Sequence, residues 1–371
     1  MRISRWLEGL LLTALAALLF RYPAESAQGV RAGLALCRDL LIPALFPFFM
    51  VSSLAVSTGL AGQLARPLDR LIRPVLGVGG PGTAALLLGL VGGYPVGMQT
   101  LAQLRTRGDC GPAEARRTAL FCNNCGPAFF LGAAGMGVFA SRQAGLLLLA
   151  ANTLAALGLG IGLRLVWGSV PESAPPTDVR RVCLAQVFPD CVRSAFSSVL
   201  GVCGYVLVFS VLTALAQRTG LLDLCQRLLL FPGPQGAVLA RSLIVGLLEI
   251  STGTAALGGA SGCPAALPLA AFLLGWGGLS VHGQSLPFLV QAGGRAGPYL
   301  AAKLVQGLLA AGLTVLLLRC LPLSLPAMAP LVPFAAPTLP GRELTALWGL
   351  SGGYFFLSRR KRGGKTDGIG V

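Results

Sequence analysis

ALFCNNCGPAFFLG, residues 119–132, is apolar enough at both ends to lie in a bilayer, yet two side-chain amides, a glycine and a proline interrupt its centre. Pro127 offers no backbone donor, Gly126 tolerates most backbone geometries, and Asn123 and Asn124 are costly in hydrocarbon, so a continuous lipid-facing helix is disfavoured here. Broken helices persist in membranes where they line a polar cavity inside protein. The stretch therefore points to a binding site near the membrane midplane, with a kinked packing helix and interhelical asparagine bonds as the plainer alternative.

The rest of the chain carries the same apolar character. Over 371 residues, 54% are hydrophobic and 11% charged, and the mean hydropathy is +0.74. That is far more apolar surface than a soluble domain can bury, and it implies a polytopic all-α membrane protein. The formal charge of +16 is spread over the flanks of apolar segments, as topology anchors and contacts to anionic lipid require; this argues against nucleic acid as a partner. The ten cysteines form no disulfide framework. Cys122 and Cys125 make a Cys-x-x-Cys pair, but no second pair or nearby histidine completes a metal site, and the soluble strand-to-helix setting of a thiol oxidoreductase is lacking.

Read in order, the chain alternates apolar segments with basic flanks. Residues 7–20 follow a basic start and read as a retained first span, although small residues at 24–27 would also suit a cleaved signal. Residues 40–62, bent by Pro43 and Pro47, form the second span, and ARPLDRLIRP at 65–74 has the spacing of a helix lying on the membrane surface. Residues 82–104 are apolar but broken by Gly92, Gly93, Pro95 and Gly97. The Arg-rich loop 105–117 follows, then a span ending near Phe139 and another at 143–163. A polar connector at 168–193 divides the chain. Beyond it come a span at 194–216, a surface helix at 218–227, a broken segment at 237–258, a broken span at 266–290 and a span at 298–318. A Pro-rich linker, a last apolar segment at 344–357 and a basic tail complete the sequence.

The same order of elements thus occurs twice, at 37–167 and 194–320, between an N-terminal segment at 1–36 and a C-terminal extension at 321–371. TGL at 58–60 returns at 219–221, and Gly97 has a counterpart in Gly253. Such duplication is the hydropathy signature of many transporters. If 82–104 and 237–258 are re-entrant hairpins, loop 105–117 faces inward and loop 259–265, which lacks basic residues, faces outward. The expected architecture is two inverted repeats with re-entrant hairpins and unwound helices, with about eight crossings.

In that arrangement the hairpin tips would meet the helix breaks, and half-helix N-termini would point at one cavity suited to an anionic or strongly polar solute. Candidate substrate-binding residues are Gly93, Tyr94, Asn123, Asn124, Ser251, Thr252, Ser280, His282 and Gln284. Glu249, the only acidic residue near the centre of an apolar segment, is the candidate for ion coupling, by a proton or a sodium ion, with a structural hydrogen bond at the hairpin tip as its alternative. His282 is the sole histidine, suited by its usual pKa to proton coupling or anion binding, or else a packing residue.

IPALFPFF, GLVGGYPVG, FCNNCGP, LLEISTG and GGLSVHGQ resemble, in the same order, the motifs of the sporulation integral membrane protein YlbJ (SpoVV) family, whose members carry a Gate, or nucleoside-recognition, domain. The resemblance spans residues from about 37 to 320 and departs from the family pattern at Cys125, where serine is expected. It implies transport of dipicolinic acid across the outer forespore membrane, and a likeness to the core of concentrative nucleoside transporters. The expected function is therefore secondary transport of a small aromatic dicarboxylate, without enzymatic activity or an organic cofactor; the sequence has no P-loop. A nucleoside carrier, a spore-membrane assembly protein and a membrane thiol oxidoreductase are the alternatives. The oligomeric state is not legible in the sequence.

Overall fold

The computed structural model describes residues 2–170, 184–229 and 233–320, which fold into helices and connecting turns with no strand among them. The last apolar segment and basic tail, together with most of the central connector, lie outside the described residues.

At the N-terminus, α1 (Arg2–Arg21) and α2 (Pro23–Leu36) meet at a bend of 97°. Gly29 and Gly33 of α2 press against residues 207–214 of α9 (Leu184–Arg218). A Cβ on Gly29 would lie 2.9 Å from the Val211 Cα, so the two backbones approach more closely than side chains would permit. Helix α9 begins ten residues before the span expected at 194–216. Helix α3 (Ile42–Ser57) contains Pro43 and Pro47 in its first half, as the sequence suggests. It turns at Gly59 (φ 77°) into α4 (Leu60–Leu76), the first expected surface helix. Its counterpart is α10 (Leu221–Leu228), which likewise follows a left-handed glycine, Gly220 (φ 74°).

Both glycine-broken segments fold into helical hairpins. In the first, α5 (Gly80–Gly92) and α6 (Val96–Thr106) flank a turn at Gly93–Pro95, closed by Val96 N donating to Gly93 O at 2.8 Å. Gly89 and Gly97 face one another across the hairpin, where a Cβ on Gly97 would lie 2.9 Å from the Gly89 Cα. In the second, α11 (Gly236–Leu248) and α12 (Ile250–Ala256) pack through Gly246 and Gly253, and Ser242 Oγ donates to Gly253 O at 2.5 Å.

Each hairpin enters and leaves at one end of the bundle. The carboxylate of Glu114, on α7 (Pro112–Thr118) after the first hairpin, accepts from Gly79 N at 2.9 Å and Gly82 N at 3.0 Å at its start. Around the second, Gly259 faces Val238 near its beginning. The two ends differ. Arg116 and Arg117 share a cleft with Arg295 and Pro298 at the start of α15 (Ala296–Cys320), whereas Leu257 and Ala260 pack in the cluster that holds Leu313 and Leu317 near its finish.

The expected span from 119 to 139 is not one helix. Residues 119–126 are irregular, and the chain is helical only from Pro127, with wide π-type turns over Phe129–Val138. It is followed by α8 (Arg142–Trp167), whose N-terminus is capped by Ser141 Oγ accepting from Ala144 N at 3.2 Å. The second break falls at Gly277, between α13 (Ala266–Trp276) and α14 (Gly278–Gln291). Among the described residues, four segments are long and apolar enough to cross a membrane: Arg142–Trp167, Leu184–Arg218, Ala266–Gln291 and Ala296–Cys320. Two bent pairs, at the α1–α2 and α4–α5 junctions, raise this to six. The expectation of about eight counted span 40–62 and the one ending near Phe139, whose apolar helices Leu45–Ser57 and Phe129–Val138 are too short to qualify, and residues 344–357, outside the described part; it did not count the α4–α5 pair.

Because the hairpins open at opposite ends of α15, loops 105–117 and 259–265 should lie on opposite sides of the membrane, with the Arg-rich loop inside. Single cysteines introduced into each loop of a variant lacking other reactive thiols, probed with an impermeant thiol reagent, should label from opposite sides. Labelling of both from one side would overturn the assignment.

Candidate solute cavity between the hairpin tips

The four interruptions converge because each supplies a backbone bare enough for another to approach. Gly93 at the first tip meets Gly126 in the first break, where a Cβ on Gly93 would lie 2.8 Å from Gly126 N. Tyr94 reaches from the same tip to the second break, its hydroxyl 3.1 Å from Leu274 O and 3.2 Å from Gly275 O. Gly278, at that break, sits against the second tip, where a Cβ would be 3.1 Å from Ile250 N and 3.2 Å from Leu248 O. Both positive-φ residues, Gly93 (82°) and Gly278 (77°), also need the left-handed region that glycine tolerates.

Between these elements lies a cavity of about 70 Å³. Tyr94, Glu249, Ser251, Ser280 and Gln284 provide polar groups on a largely apolar wall that includes Phe129, Val202 and Ile250. Helix α12, its N-terminus capped by Glu249, and the segment Phe129–Val138 begin at this wall, and α14 adds Ser280, Val281 and Gln284 from its first two turns. The volume admits an ion with a few waters and is well below the roughly 300 Å³ that encloses an organic ligand. In this conformation the space is therefore too small for an organic solute.

Glu249 is 1% exposed and caps α12, its two carboxylate oxygens accepting from Ser251 N at 3.0 Å and Thr252 N at 2.6 Å. Two backbone donors and the helix dipole can stabilise a carboxylate away from water. It also lines the cavity, so the capping role leaves it in contact with that space. Ser280 Oγ, 1% exposed, has no partner among the described residues.

Asn123 and Asn124 bond to α14 and α15 instead of lining this cavity. Asn123 Nδ2 donates to Ser285 Oγ at 2.8 Å and to the Tyr299 hydroxyl at 2.9 Å. Asn124 Nδ2 donates to Phe121 O at 2.9 Å, while its Oδ1 accepts from Gln306 Nε2 at 2.7 Å. Lys303, fully buried, donates to the backbone oxygen of Asn123 at 2.7 Å and to Gln306 Oε1 at 2.8 Å, and lies 5.1 Å from the Tyr94 ring centroid. The backbone groups that the break takes out of helical bonding thus find partners on a neighbouring helix, as burial demands.

Lys303 is the residue the sequence reading missed. It is the only charged residue between Ala296 and Leu318, and Tyr299, Lys303 and Gln306 follow the three- and four-residue spacing of one helix face. Those two facts together were the available signal.

The remaining candidates occupy other positions. His282 is 2% exposed and packs edge-on against Trp276, with centroids 4.3 Å apart, and against Tyr299 at 5.5 Å; neither ring nitrogen has a hydrogen-bond partner among the described residues. Gly93 serves the tip-to-break contact, and the Thr252 side chain is exposed. Cys122 and Cys125 are buried free thiols.

Paired broken helices around a small central cavity and helices long and apolar enough to cross a bilayer define an α-helical integral membrane protein. Residues 40–155, from α3 into α8, match the family model for Gate, nucleoside recognition. It is also 29% identical over 329 residues, covering 82% of this chain and 80% of the relative, to the sporulation integral membrane protein YlbJ of Bacillus subtilis (strain 168). No solved structure matches the chain.

Proposed function

We propose that this protein is a secondary transporter of a small anionic solute, built from two inverted repeats and acting in a sporulation membrane, with dipicolinic acid as the first substrate to test. The observation that carries this reading is the cavity at which two hairpin tips and two helix breaks converge, with Glu249, Ser251, Ser280 and Gln284 on its wall. Such a site can hold an anion once a proton or a sodium ion neutralises the Glu249 carboxylate. The name of the Bacillus relative and the resemblance of the five motifs support sporulation, and with it the outer forespore membrane, as the setting. The Gate match supports a nucleoside as the alternative substrate. On this reading the chain performs no covalent chemistry, and a proton or sodium ion at Glu249 drives the cycle. For an organic solute to enter, the tips must part from the breaks.

Purified protein in vesicles should accumulate labelled dipicolinate and leave uridine outside; the reverse would select the nucleoside reading, and uptake of neither would overturn transport of both classes. Glu249→Gln separates coupling from capping, because glutamine retains one acceptor for the α12 amides while losing the charge. Its uptake should lose its dependence on pH or sodium and fall at least about tenfold, near 1.4 kcal/mol, while equilibrium binding of substrate persists. An unchanged ion dependence would leave Glu249 as a helix cap alone.

A further inference from the structure

The basic end of the bundle contains a second cavity, of about 380 Å³, between α7, the start of α15 and the residues just after α8. Three arginines line it: Arg116 and Arg117 from α7, and Arg295 immediately before α15. None of the three forms an ion pair among the described residues. Arg117 is 4% exposed; its Nη1 donates to Gly168 O, while Nε and Nη2 are buried without a partner. Burial and the nearby Arg164 guanidinium both lower its pKa from the usual arginine value, so its charge lacks compensation. Because Nε and Nη2 are sealed from the cleft, Arg117 contributes charge behind its wall, and the planar forks of the exposed Arg116 and Arg295 suit a phosphate oxyanion.

We propose that this cleft is a binding site for a phosphate-type oxyanion, held by Arg116 and Arg295 at the mouth and attracted by the uncompensated charge of Arg117 in its wall. Its walls also carry Trp167, Leu120 and Leu289. An aromatic side chain beside apolar walls at the end of a candidate crossing suits the glycerol and upper acyl carbons of an anionic phospholipid. A free phosphate would use the arginines alone. The site is separate from the solute cavity, so its occupancy is testable whether or not the chain transports dipicolinate.

The test is thermal unfolding of the purified full chain in detergent, with phosphatidylglycerol, phosphatidylcholine or inorganic phosphate added. Phosphatidylglycerol should raise the midpoint by about 2 °C or more, and phosphatidylcholine should leave it unmoved. An Arg116→Ala, Arg295→Ala double variant, which spares the buried Arg117, should need at least about tenfold more lipid for the same shift. Inorganic phosphate matching the lipid would identify a free phosphate-type anion as sufficient. Equal shifts with phosphatidylcholine, an unchanged lipid response in the double variant, or no shift with either anion would overturn the site.

Discussion

Gly253→Ala is expected to destabilise the purified protein by about 3 kcal/mol, the upper part of the usual range for overpacking, and to abolish uptake. The reason lies in what its new methyl would meet. A Cβ at Gly253 would overlap the backbone N and Cα of Gly246 and approach Ser242 O at 3.0 Å. A clashing side chain can change rotamer, but here the two arms of the second hairpin must separate, and the Ser242 to Gly253 hydrogen bond breaks with them. Gly97→Ala in the first hairpin should behave alike, because its Cβ would overlap Cys122 O in the broken stretch and sit 2.9 Å from the Gly89 Cα. Gly201→Ala is the control: this helical glycine of α9 has nothing within 4 Å of its Cβ position, so alanine should be neutral or stabilising by up to about 1 kcal/mol. Thermal midpoints and vesicle uptake measured together decide the matter. If Gly253→Ala unfolds like the control, the close approach of the two arms is wrong.

Those glycines also explain why part of the architecture was legible in the sequence. A helix break needs residues that tolerate unusual backbone or supply no donor, and Gly93, Pro95, Gly126, Pro127, Gly277 and Gly278 announce it in a run that is otherwise apolar. The tips and breaks could therefore be located from composition, whereas their convergence was anticipated only by assuming an inverted repeat. What the breaks bond to was hidden. Asn123 and Asn124 read equally well as solute ligands or as interhelical bonds, because an amide in hydrocarbon requires a partner without specifying which one. The partners are Ser285, Tyr299 and Gln306, the last two on a helix whose average hydropathy disguises its polar face. The early start of α9 was masked for a different reason. Pro189 and the charged pair Asp190 and Arg193 make residues 184–193 look like a connector, yet the helix runs through them: the charges are exposed, and Pro189, inside the helix, forgoes only its own backbone bond.

Lys303→Met should cut uptake of an anionic substrate at least about tenfold while leaving the fold nearly as stable as before. Two opposing terms set the stability. Methionine orphans Asn123 O and Gln306 Oε1, each costing about 1–3 kcal/mol when buried. It also removes a fully buried ammonium that has no carboxylate partner among the described residues, whose burial costs several kcal/mol. The groups left behind are neutral, so the severe penalty of stranding an opposite charge does not arise. Function responds differently because Lys303 fixes the Asn123 backbone, steadies Gln306 against Asn124, and places its charge behind the Tyr94 ring that lines the cavity. Loss of that charge weakens attraction for an anion across a poorly screened interior and leaves a neutral solute almost unaffected. Equilibrium binding of dipicolinate and of a neutral analogue therefore separates the charge from the anchor: selective loss of the anion assigns the field, and equal loss of both assigns the anchoring of the break. Lys303→Arg keeps the charge but overfills a fully buried position, so it should destabilise by about 1–3 kcal/mol. Wild-type uptake by Lys303→Met would remove Lys303 from both roles and return it to the packing of α15.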